Sequence, residues 1–147
     1  MRAIFLYAVL SVVSFLLHLV WEKLHIVLYT GYETLEGALP VYLYATIGDV
    51  FYTLLVVLTI AFVRRNITWI MNLRIRDYAT LALVGLVVAI FVEGKARVYG
   101  RWEYTDAMPT LWGFGLSPLI QMTVLLPLSV YISVVVARWI QGYNSTS

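Results

Sequence analysis

Residues 3–22 read AIFLYAVLSVVSFLLHLVWE, nineteen residues without a formal charge from Ala3 to Trp21, closed by Glu22. A helix crossing a bilayer needs about 20 mainly apolar residues, and this run supplies them. Arg2 ahead of it gives the start the look of a signal peptide. The run is too long for a signal h-region, however, and no small-x-small cleavage site follows, so it is expected to be a retained first span.

Three further stretches follow the same pattern. Val41–Val63 carries one charge, Asp49. Tyr78–Val92 offers only about 15 uncharged residues, short for a core of roughly 30 Å, and spans it only if Glu93 and its neighbours are drawn inward. Leu111–Ala137 is long, with Pro118 near its start and Pro127 in its middle, where a proline kinks a helix and frees the carbonyl of Thr123. The expected fold is therefore all-α, a polytopic membrane protein forming one four-transmembrane-helix bundle over residues 1–147.

Composition agrees. Of 147 residues, 62% are hydrophobic and 12% charged, against about 25% charged in a soluble domain. A net charge of +2 without a basic stripe gives no reason to expect nucleic acid as a partner. Cysteine is absent, which excludes disulfides and thiol chemistry.

Orientation follows from the placement of Lys and Arg. Arg64, Arg65, Arg74 and Arg76 face one acid, Asp77, between the second and third spans, and Arg2 and Arg138 fall on the same side. Lys23, Lys95, Arg97 and Arg101, on the other side, stand among Glu22, Glu33, Glu36, Glu93, Glu103 and Asp106. Both termini are expected to be cytoplasmic, in a cytoplasmic (inner) membrane. Trp69, Trp102, Trp112 and Trp139 fall at span ends, where an aromatic belt belongs. Two aromatic outer loops, 22–40 and 93–113, read either as short interfacial helices or lids or, for most of their aromatics, as simple interfacial anchors.

The halves share a pattern. Glu22, Tyr29-Thr30-Gly31-Tyr32-Glu33, Ala38-Leu39-Pro40 and Asp49 are echoed by Glu93, Tyr99-Gly100-Arg101-Trp102-Glu103, Ala107-Met108-Pro109 and Gln121. Such an echo is what two parallel helical-hairpin repeats would give, and so is chance acting on a shared interface composition.

Depth sorts the polar residues. At 1.5 Å per residue, His18 stands roughly 22 Å from the inner end of its span, Asp49 roughly 13 Å inward from Pro40, and Gln121 roughly 10 Å inward from Phe114. With Glu22 and Glu93 they all fall in the outer half. Charged groups at such depths face the bundle interior and find partners. His18 and Glu22, spaced i, i+4, share a helix face that His25 continues. Asp49, beside Gly48, is the deepest acid and the first functional candidate. Glu22 with His18 comes next, an interfacial ion pair being the structural alternative. Glu93 reads as an interface residue ending a short span, Gln121 equally as interhelical glue or as a ligand contact. Glu33, Glu36, Glu103 and Asp106 read as solvated.

Glu22-Lys23-Leu24-His25 has the Glu-x-x-His form of di-iron bundles, but no second copy exists, and two histidines do not make a closed transition-metal site. Motifs for Ser/His/Asp hydrolysis, phosphate loops and zinc proteases are missing, so no cofactor and no metal is expected.

His18-Leu19-Val20-Trp21-Glu22, opening into an aromatic loop, resembles the His-Leu-Val-x-Glu element of the EXPERA group, the four-helix membrane family of emopamil-binding protein and the sigma-2 receptor. The resemblance covers the layout of the whole chain and rests on five residues of motif. It implies a cavity lined by acids that holds lipophilic amines or sterols. It implies a second carboxylate on the next helix, where Asp49 stands. On the last helix it implies a polar residue followed by proline, where Gln121 and Pro127 stand. The chain departs from the isomerases of that family in having Asp49 in place of Glu. It also has Val124 where they carry a Trp thought to stabilise a carbocation.

The leading functional expectation is a pocket for a membrane lipid or lipophilic small molecule, isoprenoid- or sterol-like. In its catalytic form Glu22, polarised by His18, protonates a double bond, Asp49 stabilises the cation, and Glu93 or Glu22 removes a proton elsewhere. Gln121, Trp21, Trp102 and Tyr104 complete the expected lining. Two other classes compete. One is a proton- or cation-coupled transporter, acting as a homodimer, with Asp49 as coupling carboxylate. The other is a non-catalytic assembly or chaperone subunit that grips a partner with its aromatic loops.

Overall fold

The structure, a computed structural model, describes residues 3–32 and 35–144, and the side chains of 35–37, 143 and 144 are outside that description. The expectations for Arg2, Glu33 and the Glu36 side chain therefore lie outside the described residues. Four helices make up the body: α1 (Ala3–His25), α2 (Leu35–Val63), α3 (Ile75–Val98) and α4 (Leu116–Asn144). Each contains a stretch long and apolar enough to cross a membrane, which fits a multi-pass membrane protein.

Three of these helices start elsewhere than the sequence suggests, α3 by the least, at Ile75 ahead of Tyr78. α2 begins at Leu35 and runs through Pro40 instead of starting after it. α4 begins at Leu116, because Thr110–Leu111 (β1) and Phe114–Gly115 (β2) form a small antiparallel hairpin ahead of it. Its turn residues, Trp112 and Gly113, have φ of 52° and 81°. Positive φ at both central residues is the signature of a two-residue hairpin turn, so a left-handed Trp112 ends any helical continuation here. α3 extends well past Val92 to Val98 and stops at Gly100, φ 57°. The Arg101 amide bonds the Ala96 carbonyl there, as a glycine-capped terminus requires.

In α1 the buried positions are Leu6, Leu10, Ser14, His18 and Glu22, then His25; in α3 they are Asp77, Leu81, Gly85, Ala89 and Glu93, then Ala96. The first five of each set follow the i, i+4 row, a ridge inclined to the helix axis, and the last step in each is three residues. α4 is the most buried helix, half of its apolar window being buried against 22–28% in the other three. It packs on α1 and α3, and α1 packs on α2. α2 and α3 scarcely touch. The bundle is thus a horseshoe in the order α2-α1-α4-α3, open between its ends.

At one end of the bundle the N-terminal part of α1, the C-terminal part of α4 and the α2–α3 connection meet, through Tyr7 Oη to the Ile67 carbonyl and Arg138 to the Met71 carbonyl. Trp69, in the short 3-10 helix Trp69–Asn72, is only 4% exposed and donates to the Val57 carbonyl. It is a core residue, and its place in an aromatic belt is corrected here. Trp112 and Trp139, by contrast, are 87% and 73% exposed.

At the other end the two connecting segments pair with each other. Thr30 N–H bonds the Glu103 carbonyl at 3.0 Å, and Thr105 N–H bonds the Leu28 carbonyl at 2.9 Å. Tyr29 and Tyr104 face each other across that bridge with ring centroids 5.6 Å apart.

Candidate functional site

Below the paired segments, the inner faces of α1, α2 and α4 bring four polar side chains together. Gln121 Nε2 lies 2.8 Å from Glu22 Oε1, 2.7 Å from Asp49 Oδ2 and 3.1 Å from His18 Nδ1. An amide nitrogen has two hydrogens, so it donates to the two carboxylates and cannot also donate to the imidazole. His18 Nδ1 in turn sits 3.3 Å from Asp49 Oδ2, which makes Nδ1–H the donor to that carboxylate. His18 Nε2 then faces the Thr53 hydroxyl at 3.5 Å. The result is a polar knot in which one amide holds two acids at hydrogen-bond distance from a single nitrogen.

The pairing of acids with histidines differs from the one expected from helix spacing. His18 serves Asp49, across the α1–α2 interface. Glu22 is served by His25, one turn further along α1, with Nε2 3.4 Å from Oε2. The other nitrogen of His25, Nδ1, is 3.0 Å from Ser117 Oγ, which also accepts the Trp21 indole N–H at 3.2 Å. A chain of proton-exchanging groups therefore runs from Ser117 through His25 to Glu22, a second pair joins His18 to Asp49, and Gln121, donating to both acids, holds the two pairs together without passing a proton between them. Each carboxylate thus has its own histidine with which to exchange a proton.

Glu93 is 2% exposed, and α3 does not end at it as the sequence suggested. α3 continues past it, and the loop folds back so that Tyr104 Oη and Trp102 Nε1 both donate to its Oε2. Tyr104 also accepts the Gly115 amide at 3.2 Å. Burial, and then the Glu93 carboxylate, push the Tyr104 phenol up to about 12. Burial, with the negative charge of Glu93 and Glu22 beside it, raises the Tyr29 phenol as well.

Between α2 and α3, where the horseshoe is open, lies a cavity of about 740 Å³. Glu22, Asp49 and Gln121 form its polar wall, with Glu93 across from them on α3. Tyr29, Tyr32, Arg101 and Trp102 line the end covered by the paired segments. Tyr44, Ile47 and Phe51 on α2 and Val88 and Val92 on α3 supply the apolar sides. Tyr44, Ile47 and Phe51 are also exposed on the flank of the bundle, so the mouth opens sideways between two apolar helices.

Among the residues expected from sequence, Glu22, Asp49, Glu93, Gln121 and Trp102 border this cavity. His18 stands behind Asp49, fully buried. Tyr104 reaches the site only through Glu93, and Trp21 is turned to Ser117. Thr53, Ser117 and the apolar walls were not anticipated. Thr53 carries a weak signal, one turn after Asp49 in the same span. Ser117 carries none, since its partner His25 is ninety-two positions away. Glu103 and Asp106 are exposed, as expected.

The chain matches no protein-family model, no curated protein and no solved structure.

Proposed function

We propose that this chain is a multi-pass membrane protein that takes a lipophilic, isoprenoid- or sterol-like ligand sideways from the bilayer into the α2–α3 cavity. The ligand's polar or unsaturated end meets Glu22, Asp49 and Gln121. The observation that carries the proposal is the combination of an apolar side mouth with a carboxylate-lined inner wall. Its volume falls within the range of small-molecule sites, about 300–1,000 Å³.

The polar knot equips the site for proton transfer. Glu22, recharged through His25 and Ser117, gives a proton to a carbon–carbon double bond. The Asp49 carboxylate, held by His18 and Gln121, stabilises the resulting cation. Glu93, on the opposite wall, or Glu22 itself takes a proton from a neighbouring carbon. One proton enters and one leaves, so the double bond moves and the ligand's formula does not change. An EXPERA-like relationship fits this chemistry, with Val124 in place of the family's Trp leaving cation stabilisation to the carboxylates.

Away from the knot the bundle is packed with Leu6, Leu10, Leu81, Leu126 and Val130, each essentially fully buried. A packed apolar half favours retention of a ligand over its passage through the bundle. The matched buried rows of α1 and α3, each with a glutamate at its fifth position, support two parallel hairpin repeats that contribute one acid each. Arg64, Arg65, Arg74, Arg76 and Arg138 lie at the end that carries the termini, which favours cytoplasmic termini in an inner membrane.

Incubation of the purified protein and its retained lipids in heavy water tests the chemistry. Wild type is expected to place deuterium on carbon in one retained lipid, and Glu22→Gln and Asp49→Asn to lose this by at least about a hundredfold. Undiminished incorporation in both variants would remove the proton-transfer role.

A further inference from the structure

A second cavity, of about 450 Å³, lies at the opposite end of the bundle, inside the turn that joins α2 to α3. Arg64, Arg74, Arg76, Asn66, Asn72 and Asp77 line it. Three guanidinium groups against one carboxylate leave a formal charge of +2 on its walls. Asp77 is fully engaged. Its Oδ1 takes Arg64 Nη2 at 2.5 Å, and its Oδ2 takes the Arg74 backbone N–H at 2.7 Å. Arg64 is further held over the ring of the buried Trp69, 4.7 Å from its centroid. Arg74 and Arg76 are exposed, and no ion-pair partner serves their guanidinium groups among the described residues.

The surroundings of this charged cleft are apolar. Phe62 and Val63 end α2 just before it, Ile75 opens α3 just after Arg74, and Ile67 lies in the turn; all four are exposed. A ligand filling the cleft therefore needs an anionic end matched to guanidinium groups and an apolar body for the flank. Phosphate oxygens suit the first demand because they accept paired N–H donors from arginine. Acyl chains suit the second. We infer that this cleft seats the phosphate of an anionic membrane phospholipid, its chains lying over Phe62, Val63 and Ile75. A zwitterionic headgroup fits less well, since its ammonium would meet unpaired arginines.

Native mass spectrometry of the detergent-purified chain, titrated with phosphatidylglycerol, phosphatidylcholine or inorganic phosphate, tests this assignment. Phosphatidylglycerol should bind in preference to phosphatidylcholine. Arg74→Gln and Arg76→Gln should each weaken it about fivefold, the effect of one cationic side chain near an anionic lipid. Arg74→Lys and Arg76→Lys, which keep the charge but not the paired donors, should weaken it less than the glutamine variants, and Lys23→Gln, at the other end of α1, should change nothing. Equal binding of the two lipids, or unchanged binding in both glutamine variants, overturns the assignment. Inorganic phosphate displacing phosphatidylglycerol at equal concentration also overturns it, by making the cleft a soluble-phosphate site.

Discussion

Tyr104 ties the paired segments to the site, because its hydroxyl donates to Glu93 while it accepts from Gly115. Its phenol, ordinarily near 10, is raised to about 12 by burial and by Glu93. The fold thus favours the neutral phenol. That contribution is fully present below about pH 10 and is lost as pH rises through about 12. Phenolate absorbance of wild type minus Tyr104→Phe should show one group titrating near 12, with the stability difference between the two proteins constant from neutral pH to about 10. A group titrating at about 10 would break the Tyr104–Glu93 link. At this scale the sequence was readable where depth alone decided. His18, Glu22, Asp49 and Gln121 had to lie at similar heights because helices rise at a fixed rate. Which histidine serves which acid was not readable, since it depends on helix rotation and on contacts across α1, α2 and α4.

Two glycines separate packing from access. A Cβ on Gly85 would lie 2.4 Å from the Met122 carbonyl oxygen, backbone against backbone, so α3 and α4 approach there only because the side chain is absent. A Cβ on Gly48 would meet nothing within 4 Å, although Gly48 borders the cavity. Gly85→Ala should therefore cost about 1–3 kcal/mol by forcing the helices apart. Gly48→Ala should be neutral or gain up to about 1 kcal/mol from helix propensity. Denaturant unfolding in detergent distinguishes them, and equal effects would contradict the close α3–α4 contact. The four helices themselves were legible as apolar runs, most of their ends were misplaced, and three of those shifts have a local reason. Pro40 is tolerated inside α2, Glu93 extends α3 because it is buried by tertiary contacts, and a Trp-Gly turn takes Leu111 and Phe114 out of α4.

Assembly of the helices was the least legible level. Four apolar runs of similar composition do not state their order of packing, because lipid-facing and partner-facing surfaces are equally hydrophobic. The horseshoe with α1 and α4 as its inner helices, and hence the side mouth between α2 and α3, arises from contacts such as that of Gly85 in α3 against Met122 in α4, which no periodicity reveals. In the function proposed above, that mouth is what makes the cluster of buried acids reachable from the bilayer. The most direct test is mass spectrometry of the lipids retained by purified wild type and by Asp49→Asn. One defined lipophilic compound, enriched in wild type and lost from the variant while bulk phospholipid stays the same, is the expected result. The same phospholipid mixture in both, with no such compound, would contradict a specific ligand cavity between α2 and α3.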